Sequence, residues 1–134
     1  MLKVAKKKNI FEKVGLTVAD ATNLPFGSDS FDLSCVSFAL HDMPLSIRER
    51  ALREMVRVTK TKGIIIIVDY ASPRNKISRF LVFHFVKLFE YYYPEFIKSD
   101  LEGLLKKSGI WILEEHALLL GSVSIRKGVI DHPI

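Results

Sequence analysis

The sequence predicts an α/β layered fold, a mostly parallel sheet finishing in an antiparallel hairpin, which is one of the mixed arrangements of doubly wound sheets. Three observations carry that expectation. Runs of strand period and helix period alternate along the chain. The run Ile64-Ile65-Ile66-Ile67-Val68 is β-branched throughout and has no polar alternation, the pattern of a central strand covered on both faces. The last two strand-like runs, Trp111 to Leu118 and Leu120 to Lys127, meet around Gly121 through a connection too short for a crossover, so they must be antiparallel.

Taken in order, Met1 to Phe11 reads as a helix, with Leu2, Ala5 and Ile10 near a helical spacing and the lysines on the other face. No capping residue precedes it, so the chain starts inside a periodic pattern. After the breaker Gly15, Leu16 to Ala19 reads as a short strand ending at Asp20, and Asn23 to Ser30 is dense in turn formers and reads as a loop. Phe31 to Ser37 is a second strand. Met43-Pro44 and Ser46 prepare a helix from about Leu45 to Thr59, whose apolar positions leave Arg48, Glu49, Arg53 and Arg57 outward. Lys60 to Gly63 closes that helix. Ser72 to Tyr93 holds a polar turn and then an apolar, aromatic helix over Phe80 to Phe89, whose stripe of aromatic residues is expected to pack as core. Ser99-Asp100 starts a further helix that Ser108-Gly109 ends.

Composition narrows the class of protein. At 134 residues, 49% hydrophobic and 26% charged, the chain has the values of a soluble domain, and one domain over 1–134 is expected. Its one cysteine, Cys35, allows no internal disulfide and supplies no cysteine ligand cluster, so no metal is expected and a reducing, cytoplasmic setting fits. No run approaches the roughly 18 uninterrupted apolar residues of a spanning helix, which argues against membrane insertion. The net charge of +5 is spread out. The single dense run, Lys3, Lys6, Lys7 and Lys8, has no zinc-finger spacing or RNA-recognition motif beside it, so it reads as a solvated helix face rather than a nucleic-acid surface.

The segment Val18-Ala19-Asp20-Ala21-Thr22-Asn23-Leu24-Pro25-Phe26, followed by Ser30-Phe31-Asp32, resembles the region after the third strand of class I S-adenosylmethionine-dependent methyltransferases. The similarity is to the group that includes the ubiquinone and menaquinone C-methyltransferases. Phe38-Ala39-Leu40-His41 resembles the stretch after the fourth strand, and Leu52 to Lys60 the stretch before the fifth. The resemblance implies a partial Rossmann-like doubly wound sheet, strands three to seven of the methyltransferase fold, ending in the antiparallel hairpin.

It also implies a site at the carboxyl ends of the strands, where ligands of open α/β sheets sit. By that resemblance S-adenosylmethionine is the cofactor. Asp20 would accept from the adenine amino group, the Ala21 N–H would meet a ring nitrogen, and Leu24 would flank the adenine face. Ser37 and Phe38 would lie beneath the methionine part. His41 and Asp69 would face the transferred methyl and a small, apolar or aromatic acceptor. Other readings stay open: Asp20 as a turn carboxylate, His41 as a satisfied structural group, Asp69 as the cap of the next turn, and the Phe80 to Tyr93 segment as a cover over the acceptor.

The family's glycine-rich loop and the acidic residue after its second strand have no counterpart here, for the seven glycines are scattered and no G-x-G precedes a helix. With the family's strand order 3-2-1-4-5-7-6, strand four would keep an unpaired edge. Such edges recruit a second strand, so a homodimer or a complementing chain is the expected partner, besides the small-molecule acceptor. Absence of the loop also leaves open a non-catalytic, partner-completing module, whereas a nicotinamide dehydrogenase on a similar sheet lacks its own fingerprint here.

Overall fold

The computed structural model describes residues 2–8, 14–73 and 75–130. Its elements are α1 (Leu2–Lys8), β1 (Phe31–Ser37), α2 (Leu45–Val58), β2 (Thr59–Tyr70), α3 (Lys76–Lys87), α4 (Tyr93–Lys98), α5 (Leu101–Lys107), β3 (Ile110–Leu118) and β4 (Val123–Ile130). The described strands form a four-stranded sheet in the order β1-β2-β4-β3. β1 runs parallel to β2, and both β2–β4 and β3–β4 are antiparallel. This is the mixed α/β sheet with a terminal antiparallel hairpin that the sequence predicts, and its order is that of the last four strands of the expected 3-2-1-4-5-7-6; the expected parallel majority is not seen, since β1–β2 is the one parallel pairing among the described strands.

Strand β2 holds the sheet together. Ile65 and Ile67 are fully buried and point with Asp69 to one face, where Leu52, Met55 and Val56 of α2 and Leu101, Leu104 and Leu105 of α5 complete the core with Ile110 and Ile130. On the other face Ile64, Ile66 and Val68 are half-buried, and Leu33 and Trp111 are exposed. The expected cover on both faces is therefore uneven among the described residues, and the unbroken isoleucine run reflects two ladder partners more than two helical layers.

Several local expectations change. Residues 16–19 carry no ladder, because no neighbouring strand among the described residues accepts their hydrogen bonds, and β propensity without a partner does not make a strand. Residues 60–63 do not close α2 but open β2 as a bulge, for Phe31 pairs with Thr59 and Leu33 already with Ile64. Gly63 is needed there, since a Cβ would stand 2.7 Å from the Lys60 carbonyl oxygen. The final hairpin is displaced toward the C-terminus because Leu119, Leu120 and Gly121 adopt positive φ (48°, 58° and 86°) and consume residues the periodicity assigns to the second strand. The short helix α4 lies inside a stretch read as connection. Of the helix expected over Met1 to Phe11, Leu2–Lys8 is seen and the rest lies outside the described residues.

Two side-chain expectations are overturned. The aromatic stripe of α3 does not pack as core: Val86 is its buried residue, whereas Ile77, Phe80, Leu81, Phe85, Leu88 and Phe89 are exposed. Nor does Arg48 point outward. It is completely buried, its Nε donating to Leu40 O (3.0 Å), Nη2 to Met43 O (2.8 Å) and Nη1 to Ser99 Oγ (3.2 Å), with the guanidinium 4.9 Å above the Phe96 ring. Burial lowers its pKa, yet three oxygen partners satisfy the charge in place of water. No helix among the described residues is long and apolar enough to cross a membrane.

Candidate active site

Strands β1 and β2 deliver a cluster of polar and aromatic groups at their carboxyl ends. The Phe38 N–H extends the parallel ladder by donating to Val68 O (2.8 Å), and the chain then reverses through Phe38 at φ 47°, a left-handed conformation costly for an aromatic residue. Leu40–Asp42 forms a 3-10 turn directly behind it. Asp69, fully buried near the end of β2, anchors that turn. Its Oδ2 accepts from the N–H of Leu40 (2.9 Å) and His41 (3.3 Å), and its Oδ1 from the N–H of Tyr70 (2.8 Å) and from His41 Nδ1 (2.6 Å). A carboxylate with this many donors is satisfied in a dry setting.

The arrangement fixes His41. Nδ1 is committed to Asp69, so the ring presents Nε2 to Glu90, whose Oε2 is 3.8 Å away. Desolvation acts to lower the His41 pKa, but the Asp69 hydrogen bond and charge, backed by Asp42 and Glu90, leave it raised. The Tyr70 ring packs edge-on against His41 at 4.6 Å, Phe38 at 5.5 Å and Tyr93 at 5.4 Å, and burial raises its phenol pKa. Ser37 and Phe38 are exposed beside this group. The structure thus brings Ser37, Phe38, His41 and Asp69 together.

Asp20, Ala21 and Leu24 form a separate wall. Asp20 is exposed, and its Oδ1 accepts from Thr22 N–H and Thr22 Oγ (2.8 Å each), the turn carboxylate of the alternative reading, which lowers its pKa. Its Oδ2 and the Ala21 N–H have no hydrogen-bond partner among the described residues, an acceptor and a donor side by side on one loop. Half-buried Leu24 is pinned from below by a clamp that sequence reasoning missed. Glu54 Oε2 accepts from Leu24 N–H (2.7 Å), Arg57 donates to Leu24 O (3.1 Å) and Phe26 O (2.8 Å), and the two side chains pair at 2.7 Å. The i, i+3 spacing of Glu54 and Arg57 on α2 was the available signal.

Because Arg57 and the Leu24 N–H hold the Glu54 carboxyl down at about 2, the clamp has a pH signature. A depressed carboxylate adds stability that is complete above its ordinary value near 4.5 and lost as pH falls toward 2. Glu54→Gln is expected to flatten the acid limb of the stability profile between those values and to speed deuterium exchange at the Leu24 amide. An acid limb identical to the parent would show that the clamp carries no load.

Two hollows flank these groups. One, about 240 Å³, runs along the edge of β1 that has no strand partner among the described residues, between Leu24, Phe31, Leu33, Cys35 and Met55. The other, about 640 Å³, lies beyond the end of β2 between Ala71, Ser72, Glu115, Gly121, Ser124 and Arg126. Arg126 Nη1 is buried there without a partner among the described residues, while Nη2 pairs with Glu115 at 2.9 Å. Nothing in the spacing of the chain singles Arg126 out.

A family model described as a methyltransferase domain matches residues 1–67. The chain is 38% identical over 87 residues to a demethylmenaquinone methyltransferase of Paenarthrobacter aurescens, 61% of this chain and 33% of that protein. It is 38% identical over 79 residues to a ubiquinone/menaquinone biosynthesis C-methyltransferase, UbiE, of Rickettsia massiliae, 56% of this chain and 31% of that protein. The chain thus spans about a third of the length of the curated relatives it matches. Its fold is that of a SAM-dependent methyltransferase of Thermotoga maritima (TM-score 0.70, 21% identity, 98% of this chain and 69% of the other). A SAM-dependent methyltransferase of Aquifex aeolicus gives a TM-score of 0.68 at 18% identity, over 97% of this chain and 63% of the other.

Proposed function

We propose, for a chain that belongs to the class I S-adenosylmethionine-dependent methyltransferase family, that it carries the acceptor side and part of the cofactor site of an enzyme methylating a small, apolar or aromatic acceptor in the cytoplasm. One observation carries the reading: His41 and Asp69 meet at 2.6 Å at the carboxyl ends of adjacent parallel strands, where an open α/β sheet binds its ligand. The names of the relatives make a quinone-type ring the acceptor to test first.

The residues present fit one wall of the cofactor. Free Asp20 Oδ2 and the free Ala21 N–H match the amino donor and ring-nitrogen acceptor of adenine, Leu24 offers an apolar face, and Ser37 with the strained Phe38 turn would support the methionine end. When bound, the cofactor supplies a methyl group on positively charged sulfur. His41 Nε2 is then placed to take a proton from the acceptor, Asp69 acts by holding the ring and the turn, and the Tyr70, Tyr93 and Phe38 rings exclude water. Arg126 Nη1 could meet an acceptor oxygen.

A specific feature favours a second reading, that of a module completed by another chain: among the described residues the outer edge of β1 is unpaired, and Leu33 and Cys35 are exposed on that strand. Calorimetric titration with S-adenosylmethionine and S-adenosylhomocysteine, with light scattering in the same buffer, separates the two. Micromolar binding that Asp20→Ala weakens about 10- to 100-fold supports the enzyme reading. A folded protein that binds neither compound supports the module, and an affinity unchanged by Asp20→Ala returns that carboxylate to its turn.

A further inference from the structure

We propose that His41, Asp42 and Glu90 form a site for a divalent transition-metal ion of the zinc class. One ring nitrogen and one carboxylate oxygen from each acidic residue lie within 4.8 Å of one another. Three protein ligands of mixed nitrogen and oxygen type, with a further position left to solvent or a small molecule, is the donor set of a reactive rather than a purely structural zinc site.

The histidine makes this more than an acidic pair. Its side chain is 4% exposed, and Nδ1 is held at 2.6 Å by Asp69. That carboxylate is itself locked by three backbone N–H groups. Metal-bound histidines characteristically give their second ring N–H to such a carboxylate, which fixes ring orientation and leaves the other nitrogen's lone pair for the ion. Here that nitrogen is Nε2. It is aimed at Glu90, at 3.8 Å too far for a hydrogen bond, and has no hydrogen-bond partner among the described residues.

The remaining geometry suits an ion about 2.0–2.2 Å from each donor, which would bring the ligand atoms to roughly 3–3.5 Å apart. Side-chain rotation of exposed Asp42 and half-buried Glu90 covers the difference, and the exposure of Asp42 provides the way in. Burial and a side-chain hydrogen bond to Asp42 raise the Glu90 pKa, so a proton sits between the two carboxyls where a divalent cation would take its place. Asp42 and His41 come from the turn after β1, whereas Glu90 follows α3, where its N–H donates to Val86 O (2.9 Å). A seated ion would therefore tie the exposed aromatic helix to the end of the sheet. It would also occupy the lone pair that proton transfer by His41 requires, so ion and base are alternatives. The site does not depend on the methyltransferase reading.

The test is titration of the full chain with Co²⁺, read by its d–d absorption, and displacement by Zn²⁺, read by calorimetry. One ion per chain with micromolar or tighter affinity is expected. Glu90→Gln, which leaves the core intact, should weaken it at least tenfold, and Asp69→Asn 10- to 100-fold through the orientation of the imidazole. His41→Ala should abolish it, and His116→Ala, a surface histidine beside Glu114, should change nothing. Absence of saturable binding by the folded chain overturns the proposal, as does binding that survives Glu90→Gln or is lost with His116→Ala.

Discussion

Replacing Asp69 with alanine is expected to remove about 3–5 kcal/mol of folding stability, a large share of what a domain of this size possesses. The reason lies in what the change strands. Three backbone N–H groups, of Leu40, His41 and Tyr70, and the His41 ring N–H all end on this one carboxylate. Alanine leaves them without an acceptor in a place where water does not reach, and each unsatisfied buried donor costs about 1–3 kcal/mol. Because Leu52, Ile65 and Ile67 pack around the same turn, it cannot open to solvent without disturbing the core. Urea denaturation followed by the fluorescence of Trp111, the one tryptophan, measures the loss. A change below about 1 kcal/mol would mean that the turn rearranges and the donors find other partners.

Arg48→Ala is expected to cost about 3–4 kcal/mol, an unusual figure for an arginine because most arginines lie at the surface. Of the two carbonyls that bracket the 3-10 turn, Met43 O would lose its donor and Leu40 O would keep only the Met43 N–H (3.2 Å), and the space beside Phe96 would be empty. Arg48→Met separates these contributions. Methionine refills the space but not the hydrogen bonds, so it should recover part of the loss and no more. Asp69 takes the N–H groups of the turn and Arg48 its carbonyls. The two therefore grip one element from opposite sides, and their double variant should fall short of the sum of the singles. Additive losses, or an Arg48→Met protein as stable as the parent, would count against this account.

The elements legible in the sequence were those whose local pattern agrees with their surroundings. β1 runs over Phe31–Ser37 as read, α2 and α5 begin where their turn residues place them, and the hairpin is antiparallel. Departures arise where a distant partner decides. Leu16 to Ala19 has strand composition but no neighbour, and the aromatic run of α3 has helical period but no opposing layer among the described residues. Arg48 looks like a surface charge because periodicity marks the face of a helix and not what lies over it. The same holds for the site. Motifs mark Asp20, Phe38 and His41, but the commitment of Asp69 to three N–H groups depends on the register of β1 against β2. Glu90 lies too far along the chain from His41 for spacing to connect them.

The placement of β2 also bears on how the chain is made. Its parallel partner β1 precedes it, but its second ladder, Ile64 to Tyr70 against Val129 to Val123, closes only with residues near the far end of the chain. On the ribosome the apolar run Ile64 to Val68 must wait through seconds of synthesis with one flank bare. For that interval one face of it is covered by α2, which runs into β2 without a loop and lays Leu52, Met55 and Val56 over Ile65 and Ile67 before β3 and β4 exist.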